Sequence, residues 1–374
     1  MEARRYDEAL DVMVVAARQA IATGRFTEAL DLLGNAETTA KALRQPSDDR
    51  RACEIEVLRS TAHNRMGRLD LAAGSASKAL AKIRADRWPE LEALALHELG
   101  YTDYHRGKSD LALSHLDRAV EVMEGLSAYE PLSRCLRVRG DLAHSQGDFE
   151  AARRDFTRAL EVSRAIGPRA AVASSLLGLS LPGVGDPREA EAARTIFEEL
   201  GHCSGACTAY NTLAEAARRD GRLEEAEDLY RRARRWAQMG GVSQHEHICG
   251  LNLALTMLAG DRFEEAFVET ELGARMTDLL GQRLVQYMHE VVAIPAAIGA
   301  ERYAEAREHL ERARELQERV DHADRDMAWA MRRAHDMARA AGKDDLASGI
   351  WDLALEEHHR LGADDLLDTV EVPV

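Results

Sequence analysis

Aromatic residues are scarce in this chain, 5% of 374, and prolines number only eight. A sequence short of both, and rich in Ala, Leu, Arg and Glu, builds helices rather than sheets. No stretch approaches the roughly 18 apolar residues that a bilayer crossing needs, so no membrane partner is expected. Base is also in short supply: 49 Lys and Arg against 65 Asp and Glu leave a net charge of −16. Sequence-independent nucleic-acid binding relies on Lys and Arg to displace counterions, and this chain lacks that excess. Only five cysteines occur, and the opening MEARRYDEAL has no apolar secretory core. Such cysteines read as reduced thiols in the cytoplasm.

Catalytic signatures are missing too. There is no G-x-S-x-G, and the pairs His97-Glu98 and His289-Glu290 lack the second His of a zinc protease motif. Gly100 to Ser109 resembles a phosphate loop, but its first Gly stands two residues too early and the segment spans a helix and its turn. The chain therefore reads as a non-enzyme without a cofactor.

What is present is a repeat. A turn and helix start recurs as Gly24-Arg25-Phe26-Thr27-Glu28-Ala29, and again at Gly67–Ala72, Gly107–Ala112, Gly147–Ala152 and Gly221–Ala226. Looser copies end in Ala190, Ala266, Ala306 and Ala347, which makes nine anchors spaced 36 to 43 residues apart. Seven residues after the anchor stands Ala36, Ala79, Ala119, Ala159, Ala233, Ala313 or Ala354, with Phe197 and Gly273 as exceptions. Twelve before it stands Ala17, Ser60, Gly100, Gly140, Gly178, Ala214 or Ala254, with Ile294 and His335 departing. Small residues at those spacings let two antiparallel helices approach closely, and the turn Gly takes up positive φ. A hairpin of this kind buries its apolar face only against neighbours, so the units stack into a solenoid. Two breaks are expected: Leu181 to Pro187 should end a first helix early and bend the stack, and Pro295 should kink another.

The pattern resembles the tetratricopeptide repeat, best seen in Leu99-Gly100, Gly107, Ala112 and Ala119, from about Tyr6 to Leu361. Its period of about 40 departs from the usual 34 and is similar to repeat regions of bacterial regulators. The resemblance implies an all-α, right-handed α-solenoid of about nine hairpins over 1–361, followed by an acidic-apolar tail at 362–374. That tail is expected to lie over the last hairpin or to bind another chain, and the uncapped ends suggest a homo-oligomer.

In that family the first helix of each unit lines a concave groove. The matching positions are His97, Tyr101, Tyr104 and His105 in the third unit, Arg134, Arg137, Asp141 and His144 in the fourth, and Asn211 and Arg218 in the sixth. Guanidinium groups bind carboxylates, Tyr supplies rigid amphipathic area, and Asn pairs with a peptide backbone. The expected partner is another protein or an extended acidic peptide, and the expected role is an interaction scaffold in bacterial signalling. The alternatives are a ligand-responsive sensor and the non-catalytic arm of a larger signalling enzyme such as a serine/threonine kinase. One further cluster, Cys203, Cys207, His245, His247 and Cys249, could bring thiolates and imidazoles together across neighbouring first helices. Its spacing matches no established zinc signature, and no metal is expected.

Overall fold

The computed structural model describes residues 2–42, 49–83, 87–106, 108–241, 243–320 and 325–360, so Gly107 and the tail 362–374 lie outside the described residues. Among the described residues there are eighteen α-helices and no strand. The chain divides into two compact units, Met1–Asp186 and Pro187–Val374. The first holds four hairpins: α1 (Glu2–Ala22) with α2 (Phe26–Ala42), α3 (Asp49–Arg65) with α4 (Leu69–Lys82), α5 (Pro89–His105) with α6 (Ser109–Gly125), and α7 (Tyr129–Ser145) with α8 (Phe149–Ile166). It ends on α9 (Arg169–Leu179). The second opens on α10 (Glu189–Glu199) and continues as α11 (Cys203–Arg219) with α12 (Leu223–Gly240) and α13 (Ser243–Ala259) with α14 (Phe263–Leu279). Its last two hairpins are α15 (Arg283–Gly299) with α16 (Tyr303–Gln317) and α17 (Arg325–Ala340) with α18 (Asp344–Arg360).

Each hairpin turn is built by one hydrogen bond. The amide of the residue just before the second helix reaches back five residues, as in Arg25 to Ala20 (2.8 Å), Asp148 to Ala143 (2.9 Å) and Arg222 to Ala217 (2.9 Å). That bond requires a left-handed residue just before it, supplied by Gly147 (φ 78°) and its counterparts, and by Asp261 and Glu301 in the looser copies.

All nine anchor alanines are buried. The small residues twelve earlier meet them from the paired helix, and the fit leaves no spare volume. A Cβ added to Gly100 would lie 2.6 Å from Leu116 Cγ, and one added to Gly140 would lie 2.8 Å from the Phe156 ring. The exceptions keep the sum of sizes constant. Phe197 packs over Gly205, and Gly273 makes room for the imidazole of His289, because an added Cβ would meet those rings at 2.3 Å and 2.1 Å.

Within each unit successive first helices pack on one another: α1, α3, α5, α7 and α9 in the first, and α11, α13, α15 and α17 in the second. Second helices stand further apart, so the first helices form the tighter layer. The break after α9 is filled rather than empty. Val184 is buried with Ala152 and Phe156, and Arg153 donates to the Val184 carbonyl, so the segment folds back on α7 and α8. Helix α15 runs unbroken through Pro295, which removes only the amide that would have met Val291.

Replacing Gly140 with Ala tests the close approach. Helix propensity alone would stabilise the protein by about 1 kcal/mol, whereas overpacking against Phe156 costs about 1–3 kcal/mol. The clash should win, lowering the denaturation midpoint, and Phe156→Leu in the same chain should restore much of the loss. A more stable Gly140→Ala protein would show that the helices have room to spare.

Candidate functional site

A buried polar seam ties three first helices of the first unit together. Its hub is Glu98 on α5, 3% exposed. Its carboxylate accepts hydrogen bonds from Thr61 Oγ1 (2.9 Å) and Asn64 Nδ2 (2.8 Å) on α3, and from Arg134 Nη2 (3.4 Å) on α7. Thr102 donates to Asn64 Oδ1 at 2.8 Å and locks the amide's orientation. His97 Nδ1 lies 3.3 Å from the same carboxylate. Burial lowers the His97 pKa, so the ring acts as a neutral donor. Burial pushes the Glu98 carboxyl up, but His97, Arg134 and Asn64 together outweigh it and hold the group below the usual carboxylate range.

Above this seam lies an aromatic and basic surface. The Arg65 guanidinium of α3 sits 5.7 Å from the centre of the Tyr101 ring. The His105 ring lies inclined against both Tyr101 (centroids 4.3 Å apart) and Tyr104 (4.9 Å). Tyr101 and Tyr104 are half-buried, and His105 is exposed. Partial desolvation against its neighbours, and then the charge of Arg65, lower the His105 pKa, moderated by the ring's exposure. Burial lifts Tyr104 to about 12, leaving it a neutral hydroxyl. On α7, Arg137 and Asp141 are half-buried. Burial raises Asp141 to about 6, with Arg137 only partly offsetting it. This face therefore offers guanidinium charge, aromatic area and one carboxylate that titrates near neutrality.

The structure separates the sequence-selected residues into three groups. Tyr101, Tyr104, His105, Arg134 and Arg137 come together on adjacent helices. His144 points elsewhere, with Nε2 at 3.1 Å from the Pro182 carbonyl and its ring against Phe149. His97 and Arg218, placed in the groove by sequence register, are both 3% exposed and serve the interior instead. Arg218 donates to Asp326 Oδ2 at 2.6 Å, joining α11 to the start of α17. Asn211 accepts from Asn252 Nδ2 at 2.8 Å, a bond between α11 and α13 that uses one polar atom of each amide.

Sequence reasoning missed Glu98, Arg65, Asn252 and Asp326. Arg65 was recoverable, since it stands seven before its anchor, as His105 does. Asp326 was not, because it lies outside the register and meets Arg218 from 108 residues away.

Among the described residues no group of three or more His, Cys, Asp or Glu could hold a metal ion. Cys207 and Cys249 do approach, Sγ to Sγ 3.8 Å, whereas the sulfur of Cys203 turns to the Gly201 carbonyl at 3.7 Å. His245 is half-buried, and the backbone carbonyl of His247 receives His289 Nε2 at 3.3 Å. A shallow hollow along α6, bordered by Asp110, Asp117, Glu121 and Arg139, does not collect the aromatic residues. Among the described residues no helix is long and apolar enough to cross a membrane.

Arg218 is buried, so its truncation removes both the packing of its side chain and its charged hydrogen bond to the partly exposed Asp326. Arg218→Ala should therefore cost about 1.5–3 kcal/mol in urea unfolding, more than Arg137→Ala at a half-exposed position. Equal losses would contradict the division into interior and surface residues.

Comparison with known proteins bears on the fold. A tetratricopeptide repeat model matches residues 91–165, and a second matches 207–235. No curated protein matches the sequence. A Rap protein complexed with Competence and Sporulation Factor is similar in structure, with a TM-score of 0.64, 11% identity, and coverage of 95% of this chain and 99% of that one. The apo form of the quorum sensor NprR from B. thuringiensis has a TM-score of 0.59 at 10% identity, covering 94% and 99%. Aspartyl phosphate phosphatase F from Bacillus subtilis has a TM-score of 0.56 at 9% identity, covering 97% of each chain. At these identities the likeness is one of fold, that of an α-solenoid of helical hairpins. The matching models identify tetratricopeptide repeats at 91–165 and 207–235, and the register of small residues and the turn bonds carry the same kind of hairpin through the other described units.

Proposed function

We propose that the protein is an interaction scaffold whose first-unit face, formed by α3, α5 and α7, binds an extended acidic peptide or an acidic segment of a partner protein. The observation that carries this reading is the meeting of Arg65, Tyr101, Tyr104, His105 and Arg137 on adjacent first helices of a chain that is otherwise acidic. Guanidinium groups take carboxylates in bidentate fashion, and the clustered rings give rigid apolar contact at low entropic cost. The Rap protein with a similar fold is itself complexed with a factor, Competence and Sporulation Factor, which supports a ligand on this kind of scaffold. The reading requires no catalysis. The cysteines are free thiols, in keeping with a cytoplasmic location.

A ligand-responsive switch is the second reading, favoured by the Glu98 seam. A carboxylate that engages Arg134 competes with Glu98 and so acts on the packing of α5 against α7.

Titration calorimetry with an acidic peptide library tests the proposal. Arg137→Ala combined with Tyr104→Ala should weaken the selected binder at least tenfold, given about 1.5–3 kcal/mol for each charged hydrogen bond. Affinity should also rise as pH falls from 7.5 to 5.5, because Asp141, raised to about 6, gains its proton and stops competing for Arg137. Asp141→Asn should tighten binding at pH 7.5 and flatten that dependence. Unchanged affinity in the Arg137 and Tyr104 variant would place the ligand elsewhere.

A further inference from the structure

Two thiols face each other in the second unit. Cys207 on α11 and Cys249 on α13 hold their sulfurs 3.8 Å apart, with exposures of 2% and 1%. Tyr210, Ala233 and Ala237 surround them in an apolar cluster. Cys207 lies about one turn after the start of α11 and Cys249 less than two turns after the start of α13, where Cys203 and His245 are partly exposed. A disulfide needs its sulfurs at about 2.05 Å, so oxidation requires the two side chains to close the present gap.

We propose that Cys207 and Cys249 form a redox-active dithiol that a small hydroperoxide oxidises to a disulfide, stapling α11 to α13. The Cys207 thiolate attacks one peroxide oxygen and the O–O bond breaks. This leaves a sulfenic acid on Cys207, and the departing oxygen leaves as water or alcohol. The Cys249 sulfur then attacks the Cys207 sulfur, the S–O bond breaks, and the hydroxyl leaves as water with the Cys249 proton. Two thiols lose two electrons, and the peroxide gains them. The division of roles follows from the surroundings. The hydrogen bond from Cys249, with His245 adding to it against the effect of burial, draws the Cys207 thiol down to about 6, whereas the same bond keeps Cys249 protonated. The staple would fix the spacing of α11 and α13 beside the Asn211–Asn252 bond, one turn further along both helices.

The test treats the reduced full chain, in native buffer, with stoichiometric hydrogen peroxide. Unfolding, alkylation and peptide mapping by mass spectrometry follow. The expected result is a linked Cys207–Cys249 peptide, with Cys53, Cys135 and Cys203 alkylated, and reversal by dithiothreitol. The bond closes a loop of about 40 residues, so the oxidised form should melt roughly 5 °C higher. Cys207→Ser and Cys249→Ser should each abolish the shift. All five cysteines alkylated after treatment, a link made through Cys203, or sulfinic acid at Cys207 without a link would each overturn the proposal, and the wild-type map alone decides even if a variant does not fold.

Discussion

The close approach of paired helices at the small-residue positions is the constraint on which the rest depends. Where Gly140 faces Phe156, or an anchor alanine lies fully buried against its partner helix, the backbones sit too near for any larger residue. That contact fixes the rotation of each first helix about its axis. Rotation decides which side chains enter the interior and which emerge, so the placement of Tyr101, Tyr104 and Arg137 follows from residues that touch no ligand. The rule acts on summed size rather than on identity, which is why Phe197 is accommodated by Gly205 and Gly273 by His289.

The two units use the same helical framework for different chemistry. In the first, a single carboxylate, Glu98, gathers donors from α3 and α7 beneath an aromatic surface, and the guanidiniums of Arg65 and Arg137 lie above it. In the second, polar groups bond within the unit: Arg218 to Asp326 and Asn211 to Asn252 between first helices, and Glu290 to His309 and Arg312 of its paired second helix. An interior satisfied in this way contributes specificity of packing. The binding reading rests on the first unit because there aromatic rings and guanidiniums gather on adjacent first helices.

Much of this was legible in the sequence, and what was not has a physical cause. The turns, the anchors and their partners were readable because small residues and a left-handed turn are dictated by neighbours only 7 to 12 positions away. The early end of α9 ahead of Pro182 was readable, but the course of the segment that follows was not. Its packing depends on Val184 reaching Phe156, a contact that no local spacing announces. His97 and Arg218 were assigned to the surface by register alone, yet their burial is set by partners on other helices. The register rule did identify Tyr101, Tyr104 and His105, and applied one unit earlier it would have added Arg65. The lesson is that periodicity locates a face, whereas the balance of charges beneath that face decides which of its residues remain available.

The central claim is that the first-helix layer of the first unit receives an acidic, extended chain. A crystal structure of the protein with the tightest binder from an acidic peptide library tests it most directly. The account predicts a peptide running across α5 and α7, its carboxylates on the guanidiniums of Arg65 and Arg137 and its apolar side chains against Tyr101 and Tyr104. A peptide seated along α6, or one whose carboxylates turn away from both guanidiniums, would contradict it.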